Sequence, residues 1–387
     1  MRHELKKIWR PVNVLVCLIL LAGMLWTLYA HMYKGAPFIR KGMIRAWDAV
    51  LDEPEPARFV QAQYEAIDGD LEELQMQYLM TDSEEERKAI KAKIHQIEKE
   101  SGQYYTGSLP FDLLVLSRIQ RRLEHIDALS GEWEIERTIL QRTIKRKQLV
   151  GAQAAELNRR CQRYAALSVP AGTNLDPYED FAEWNTRYAY VILLAVVWVV
   201  AQSIPVEEKT GMGDLIRAVA RTPGSTALCK ALAGCLSACL VVSVQFICGL
   251  GLAVYMAGDT EGLRTGIQAM YALGICCWDM PVYGLLLLQY AAQCALAVFA
   301  AGLTLCLTTF IQDEWMSIPV AALLLLLPNL LYILCPGAKG LDIASIFGVM
   351  APASSNSART GVYAAAALAA CIALSGCTIW RFVRRRS

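Results

Sequence analysis

Four uncharged amides interrupt apolar runs in the second half of this chain: Gln245, Gln289, Gln293 and Asn329. In hydrocarbon an amide must find a hydrogen-bonding partner, so such residues either tie helices together or line a polar path. Gln289 and Gln293 stand four apart, on one face of a helix. None of the four is charged, which argues against a proton or ion relay and fits an amphipathic or lipidic cargo. Other chemistry is scarce. No glycine loop ending in Gly-Lys-Ser or Gly-Lys-Thr is present to cradle a phosphate, no His-Glu-x-x-His pair to hold zinc, and no Gly-x-Ser-x-Gly turn to present a nucleophile. Asp279, Asp313, Glu314 and Asp342 stand at the edges of apolar runs, while His95 and His125 fall in charged helical stretches where solvated faces are expected. Of thirteen cysteines only Cys161 lies away from the apolar segments, and the adjacent Cys276 and Cys277 lack metal-site spacing. The chain is therefore not expected to be an enzyme, nor to hold a metal or cofactor of its own.

The elements that must position these residues are membrane spans. Apolar residues make up 55% of the 387, yet the formal net charge is only +1, a balance that fits a membrane protein carrying a soluble part. Residues 11–30 are long and apolar enough to cross a bilayer, and Leu28 to Ala30 make a poor cleavage site, so this run is read as a retained first span. Five more are expected at about 191–204, 228–256, 282–308, 318–334 and 362–380. Stretches 267–277 and 343–350 are too short to cross and are read as interfacial or re-entrant. Arg2, Lys6, Lys7, Arg10, Lys209, Arg217, Arg221, Lys230, Arg381, Arg384, Arg385 and Arg386 flank one side of these spans. Only Arg264, Lys339 and Arg359 fall in the short connections on the other. By the positive-inside rule both termini are cytoplasmic, in a multi-pass protein of a cell membrane, read as a bacterial plasma membrane.

Residues 31–187 contain no candidate span and carry 22 Lys and Arg against 26 Asp and Glu. Helical seams run through them: Ile67, Leu71, Leu74 and Tyr78; Leu116, Ile119, Leu123 and Ile126; Ala154, Leu157, Cys161 and Tyr164. Ser83 and Glu86 form a capping box for a further helix. The fold class expected is an all-α membrane protein. Its parts are a first span at 1–30, a helical extracytoplasmic domain of about five helices at 31–187, and a five-span domain at 188–387. Basic residues Lys145, Arg146, Lys147, Arg159 and Arg160 are candidates to meet anionic lipid headgroups or an envelope polymer, and no nucleic-acid patch stands out.

Between the second and third spans lies the polar segment 207–230. Asp214 suits a helix N-terminus, Leu215, Ile216 and Val219 recur at helical spacing, Arg217 and Arg221 complement a C-terminus, and Thr222-Pro223-Gly224 ends the helix. A helix of two or three turns is marginal alone, so its apolar stripe must rest on a partner. Glu207, then Gly211 and Met212, Leu215-Ile216-Arg217 and finally Lys230 resemble the cytoplasmic coupling segment of type-2 ABC exporter permeases. Thr222-Pro223 departs from the Gly-Arg pair of many relatives. The resemblance implies a coupling helix at about 207–227 whose Leu215, Ile216 and Val219 fill a groove on a separate ABC ATPase subunit, with Glu207, Arg217 and Arg221 around it. It also implies that ATP is bound by that partner, that the chain pairs with a second permease copy or a paralogue, and that the cargo exported is amphipathic, peptide or lipid-like. The alternative from another class is a non-transporting membrane sensor or scaffold whose helical ectodomain binds an envelope partner.

Overall fold

The computed structural model describes residues 2–33, 50, 53, 55–56, 58–62, 73–74, 76–78, 80–81, 83–100, 111–170, 173–201, 223–270, 273, 278–311, 313–334 and 373. Their regular structure is helical, with ten named α-helices: α1 (Arg2–Ile8), α2 (Pro11–Tyr33), α3 (Glu84–Glu100), α4 (Phe111–Arg146), α5 (Ala152–Ala166), α6 (Asp176–Arg187), α7 (Ala189–Ala201), α8 (Pro223–Ala257), α9 (Val282–Phe310) and α10 (Glu314–Leu334). The one β-type pairing among the described residues is an isolated antiparallel bridge between Gly266 and Pro281. The coupling helix expected at about 207–227 lies outside the described residues as far as Thr222; so do 343–350 and, residue 373 apart, the sixth span. Pro223, expected to end the helix before it, is the first residue of α8, where its missing N–H leaves no helical bond unmade. Of the stretch 267–277, the described part shows a 3-10 turn, Ile267–Ala269, and a further 3-10 residue at Leu273.

Among the described residues three helices are long and apolar enough to cross a membrane: Pro11–Ala30 within α2, Ala227–Ala257 within α8, and α9. Helices α6 and α7, bent by 51° at their junction, make a fourth if taken as one broken span. The chain is therefore an all-helical membrane protein, with three or four spans among the described residues where six were expected for the whole.

Two compact units divide the chain. The first comprises Met1–Leu28, Phe181–Leu252 and Gly284–Ser387. Its centre is α7, whose AYVILLAVVWVVA sequence has no polar face; nine of its thirteen residues are buried, as a helix apolar all round requires. By contrast α2 leaves Val12, Leu15, Leu18 and Ile19 exposed, and α8 does the same with Leu228, Leu232, Leu236 and Leu240 at every fourth position. Glycines let helices close up: a Cβ on Gly249 would lie 2.5 Å from the Phe181 ring, and one on Gly234 2.9 Å from Leu305. At one end of this unit Ile8 packs with Val199 and Ala233, Trp9 Nε1 donates to Ser237 Oγ at 3.1 Å, and Trp198 meets Trp315 edge to face. At the other, Trp184 Nε1 donates to Thr27 Oγ1 at 3.1 Å, and the Phe181 ring meets that of Phe246. The N-terminal residues, the end of α7, the beginning of α8 and the beginning of α10 thus share one end of the bundle.

The second unit comprises Tyr29–Asp180 and Ala253–Tyr283. Its longest element, α4, has 36 residues, about 54 Å of helix at 1.5 Å per residue. Of the seam expected on α4, Ile119, Leu123 and Ile126 are buried, and Leu129 and Trp133 extend it; the Leu116 side chain lies outside the described residues. Cys161 of α5 is buried with its Sγ on the Arg137 carbonyl, and burial pushes its thiol above the usual range, so it stays protonated. On the same face as the α4 seam sits a charge. Arg122 is only 5% exposed; its Nη2 donates to Glu179 Oε2 at 2.6 Å and also to Asp176 Oδ1, its Nε reaches Asp176 Oδ1 at 3.1 Å, and Nη1 donates to the Ala269 carbonyl at 2.8 Å. Burial alone would lower the guanidinium pKa, but the two carboxylates outweigh it and hold the group above its ordinary value, fully ionised.

A buried pair of this kind is costly to break, because the partner charges stay behind. Arg122→Met is expected to lower stability by about 3 kcal/mol or more, read by denaturation of the full chain in detergent, with Arg122→Lys falling between variant and parent.

Candidate functional site

Three of the four amides singled out by their place in apolar helices, Gln245, Gln289 and Gln293, come together in the first unit, and the junction of α6 and α7 is what they gather around. The last carbonyls of any helix lack intrahelical partners. In hydrocarbon, a span that bends must satisfy them from elsewhere. Here Gln293 Nε2, from α9, donates to the Asn185 carbonyl at 3.0 Å. One turn earlier on α9, Gln289 Nε2 donates to the Ala182 carbonyl at 3.2 Å and lies 3.4 Å from Thr186 Oγ1. From α8, Gln245 Nε2 donates to Asn185 Oδ1 at 3.1 Å. Asn185, Gln245, Gln289 and Gln293 are all buried. The four side chains join α6, α8 and α9.

A second polar tie runs parallel. Ser243 Oγ donates to the Cys239 carbonyl at 2.7 Å, so its contact with Tyr290 at 2.7 Å takes the phenol as donor.

Not every group in the cluster is satisfied. Backbone carbonyls only accept, so the amide nitrogens of Gln289 and Gln293 must face them, and their Oε1 atoms are left over. Gln289 Oε1, Gln293 Oε1, Gln245 Oε1 and Asn185 Nδ2 have no hydrogen-bond partner. Each such group costs about 1–3 kcal/mol. Beside the cluster, a cavity of about 190 Å³ opens between α2, α7 and α8, walled by apolar residues such as Leu18, Leu21, Ile192 and Val244. Gln245, 3% exposed, is among the lining residues. The cavity offers hydrocarbon contact.

Asn329 lies in α10, but its side chain is outside the described residues, as are Glu207, Gly211, Met212, Leu215, Ile216, Arg217, Val219 and Arg221. Asn185 was not foreseen, although its place just before an apolar run, between Trp184 and Tyr188, was a usable signal. Nor was Arg122. His125, expected on a solvated face, is half-buried with Nε2 3.2 Å from the Gln268 carbonyl, which can only accept, so the ring donates. Among the described residues no group of three or more His, Cys, Asp or Glu side chains is placed to hold a metal ion. No family model matches the chain, and neither a curated protein nor a solved structure is similar to it.

Gln293→Met removes one interhelical bond and one unpaired oxygen together, so its stability is expected to stay within about 1 kcal/mol of the parent. Asn185→Leu strands the Gln245 amide and should cost about 1–3 kcal/mol, the order of the two being read by thermal denaturation of solubilised protein.

Proposed function

We propose that the chain is the permease subunit of an ATP-driven exporter, working with a separate ATPase and moving an amphipathic, peptide or lipid-like substrate. The reading starts from the resemblance of segment 207–230 to the coupling segments of type-2 ABC exporter permeases. One observation on the first unit carries it further. The helix that enters the segment, through Trp198 and Val199, and the helix that leaves it, through Ala233 and Ser237, lie at one end of the bundle beside Ile8 and Trp9. The basic N-terminal residues are at that same end of the sequence, and the positive-inside rule assigns it to the cytoplasm. An ATPase docked on Leu215, Ile216 and Val219 would pull on α7 and α8 together. Those helices lead to Asn185 and Gln245, so closure of the ATPase pair reaches the amide cluster through packed helices. The apolar cavity with a single amide at its wall favours a cargo that is largely hydrocarbon.

Purification of the chain in mild detergent is expected to bring down an ATPase whose turnover rises in its presence. Val219→Asp, placing a charge in the apolar stripe, should abolish that stimulation while the protein stays in the membrane. Full transport by this variant, or labelling of a cysteine at position 212 from outside the cell, would sink the assignment.

A further inference from the structure

The link between α8 and α9, from Gly258 to Pro281, is fixed at four places in the second unit. Tyr178 donates to the Asp259 carbonyl at 2.6 Å, Thr173 and Thr265 share a hydrogen bond at 3.0 Å, Arg122 holds the Ala269 carbonyl and His125 that of Gln268. Within the link, Ile267 N–H donates to the Met280 carbonyl at 3.0 Å and Val282 N–H to that of Thr265 at 2.9 Å. Gly266 thereby faces Pro281 as an antiparallel pair. Arg264, Gly266 and Gln268 from one side of the bridge, and Asp279, Pro281 and Tyr283 from the other, line an open cavity of about 470 Å³ together with Ser168 and Pro170. The volume is within the range of small-molecule sites, about 300–1,000 Å³.

Gly266 is the floor. A Cβ there would lie 2.3 Å from Gln268 Oε1, whose position is set because Nε2 donates to the Trp278 carbonyl at 2.5 Å. On the walls stand two opposite charges that do not neutralise each other. Arg264 and Asp279 make no ion pair or side-chain hydrogen bond among the described residues, although both line the same cavity. Arg122, by contrast, is fully matched by carboxylates in the same unit. A guanidinium and a carboxylate that line one cavity without pairing stand on a backbone already fixed by tertiary bonds, so the backbone needs no further ordering when a ligand arrives.

We propose that this cavity binds a small zwitterion, with its acidic group at Arg264, its ammonium at Asp279, and the hydroxyls of Tyr283 and Ser168 completing the contacts. Two sources carry that chemistry: a phosphoethanolamine headgroup, or a free amino acid or short peptide. The site belongs to the second unit and does not rest on the permease reading.

The test is calorimetric titration of the full chain, in detergent free of phospholipid, with O-phosphoethanolamine and separately with a neutral dipeptide. Saturable binding of either is expected, with inorganic phosphate and ethanolamine, which carry one charge sign each, binding more weakly. Preference for phosphoethanolamine assigns a lipid headgroup, and preference for the dipeptide a soluble amino compound. Arg264→Gln and Asp279→Asn, both at exposed positions, should each weaken binding roughly three- to tenfold without moving the melting temperature of the ligand-free protein. Absence of binding by both zwitterions, equal binding of a singly charged half, or affinity untouched by the two substitutions would overturn the proposal.

Discussion

A polar group taken out of water must be paired inside the chain or its desolvation goes uncompensated, and this constraint shapes both units. At Arg122 it is met nearly in full, by two carboxylates from α6 and one backbone carbonyl from the 3-10 turn at Ile267–Ala269. The result joins three sequence-distant pieces by one cation. In the amide cluster it is met in part: each glutamine finds an acceptor for its nitrogen, and the oxygens go without.

What periodicity and hydropathy can report was legible. Runs of apolar residues marked α2, α8 and α9, and the seam through Ile119, Leu123 and Ile126 marked the buried face of α4, because these signals depend only on near neighbours. Arg122 was passed over since it stands beside Arg121 in a charged stretch, and its partners lie 54, 57 and 147 positions away. A local clue existed: Arg122 is three residues after Ile119 and four before Ile126, so a helix that buries both must bury it too. Asp176 and Glu179, three apart, supply a matching acidic face. The link after α8 was harder still, because it owes its conformation to tertiary bonds from Tyr178, Thr173, Arg122 and His125 instead of to any pattern of its own.

In the candidate site, Gln245, Gln289 and Gln293 were legible because a polar residue in an apolar run is conspicuous. That they converge was not, since spacing within one helix says nothing about which neighbour it faces. Asn185 supplies the missing piece. Its carbonyl and its side chain each receive an amide from a different helix. The bonded nitrogens do the joining between helices, and Gln245 is the one member of the cluster that also lines the apolar cavity.

The bend between α6 and α7 has a mechanical corollary. A continuous helix resists flexure because each turn is bonded to the next, whereas at Tyr188 the sequence of bonds shifts: its N–H reaches the Trp184 carbonyl, and its own carbonyl takes Val191 at 3.0 Å and Ile192 at 3.4 Å. The axis turns by 51° where the bonds shift, and the glutamine bonds from α8 and α9 to Ala182 and Asn185 brace that angle from outside the helix.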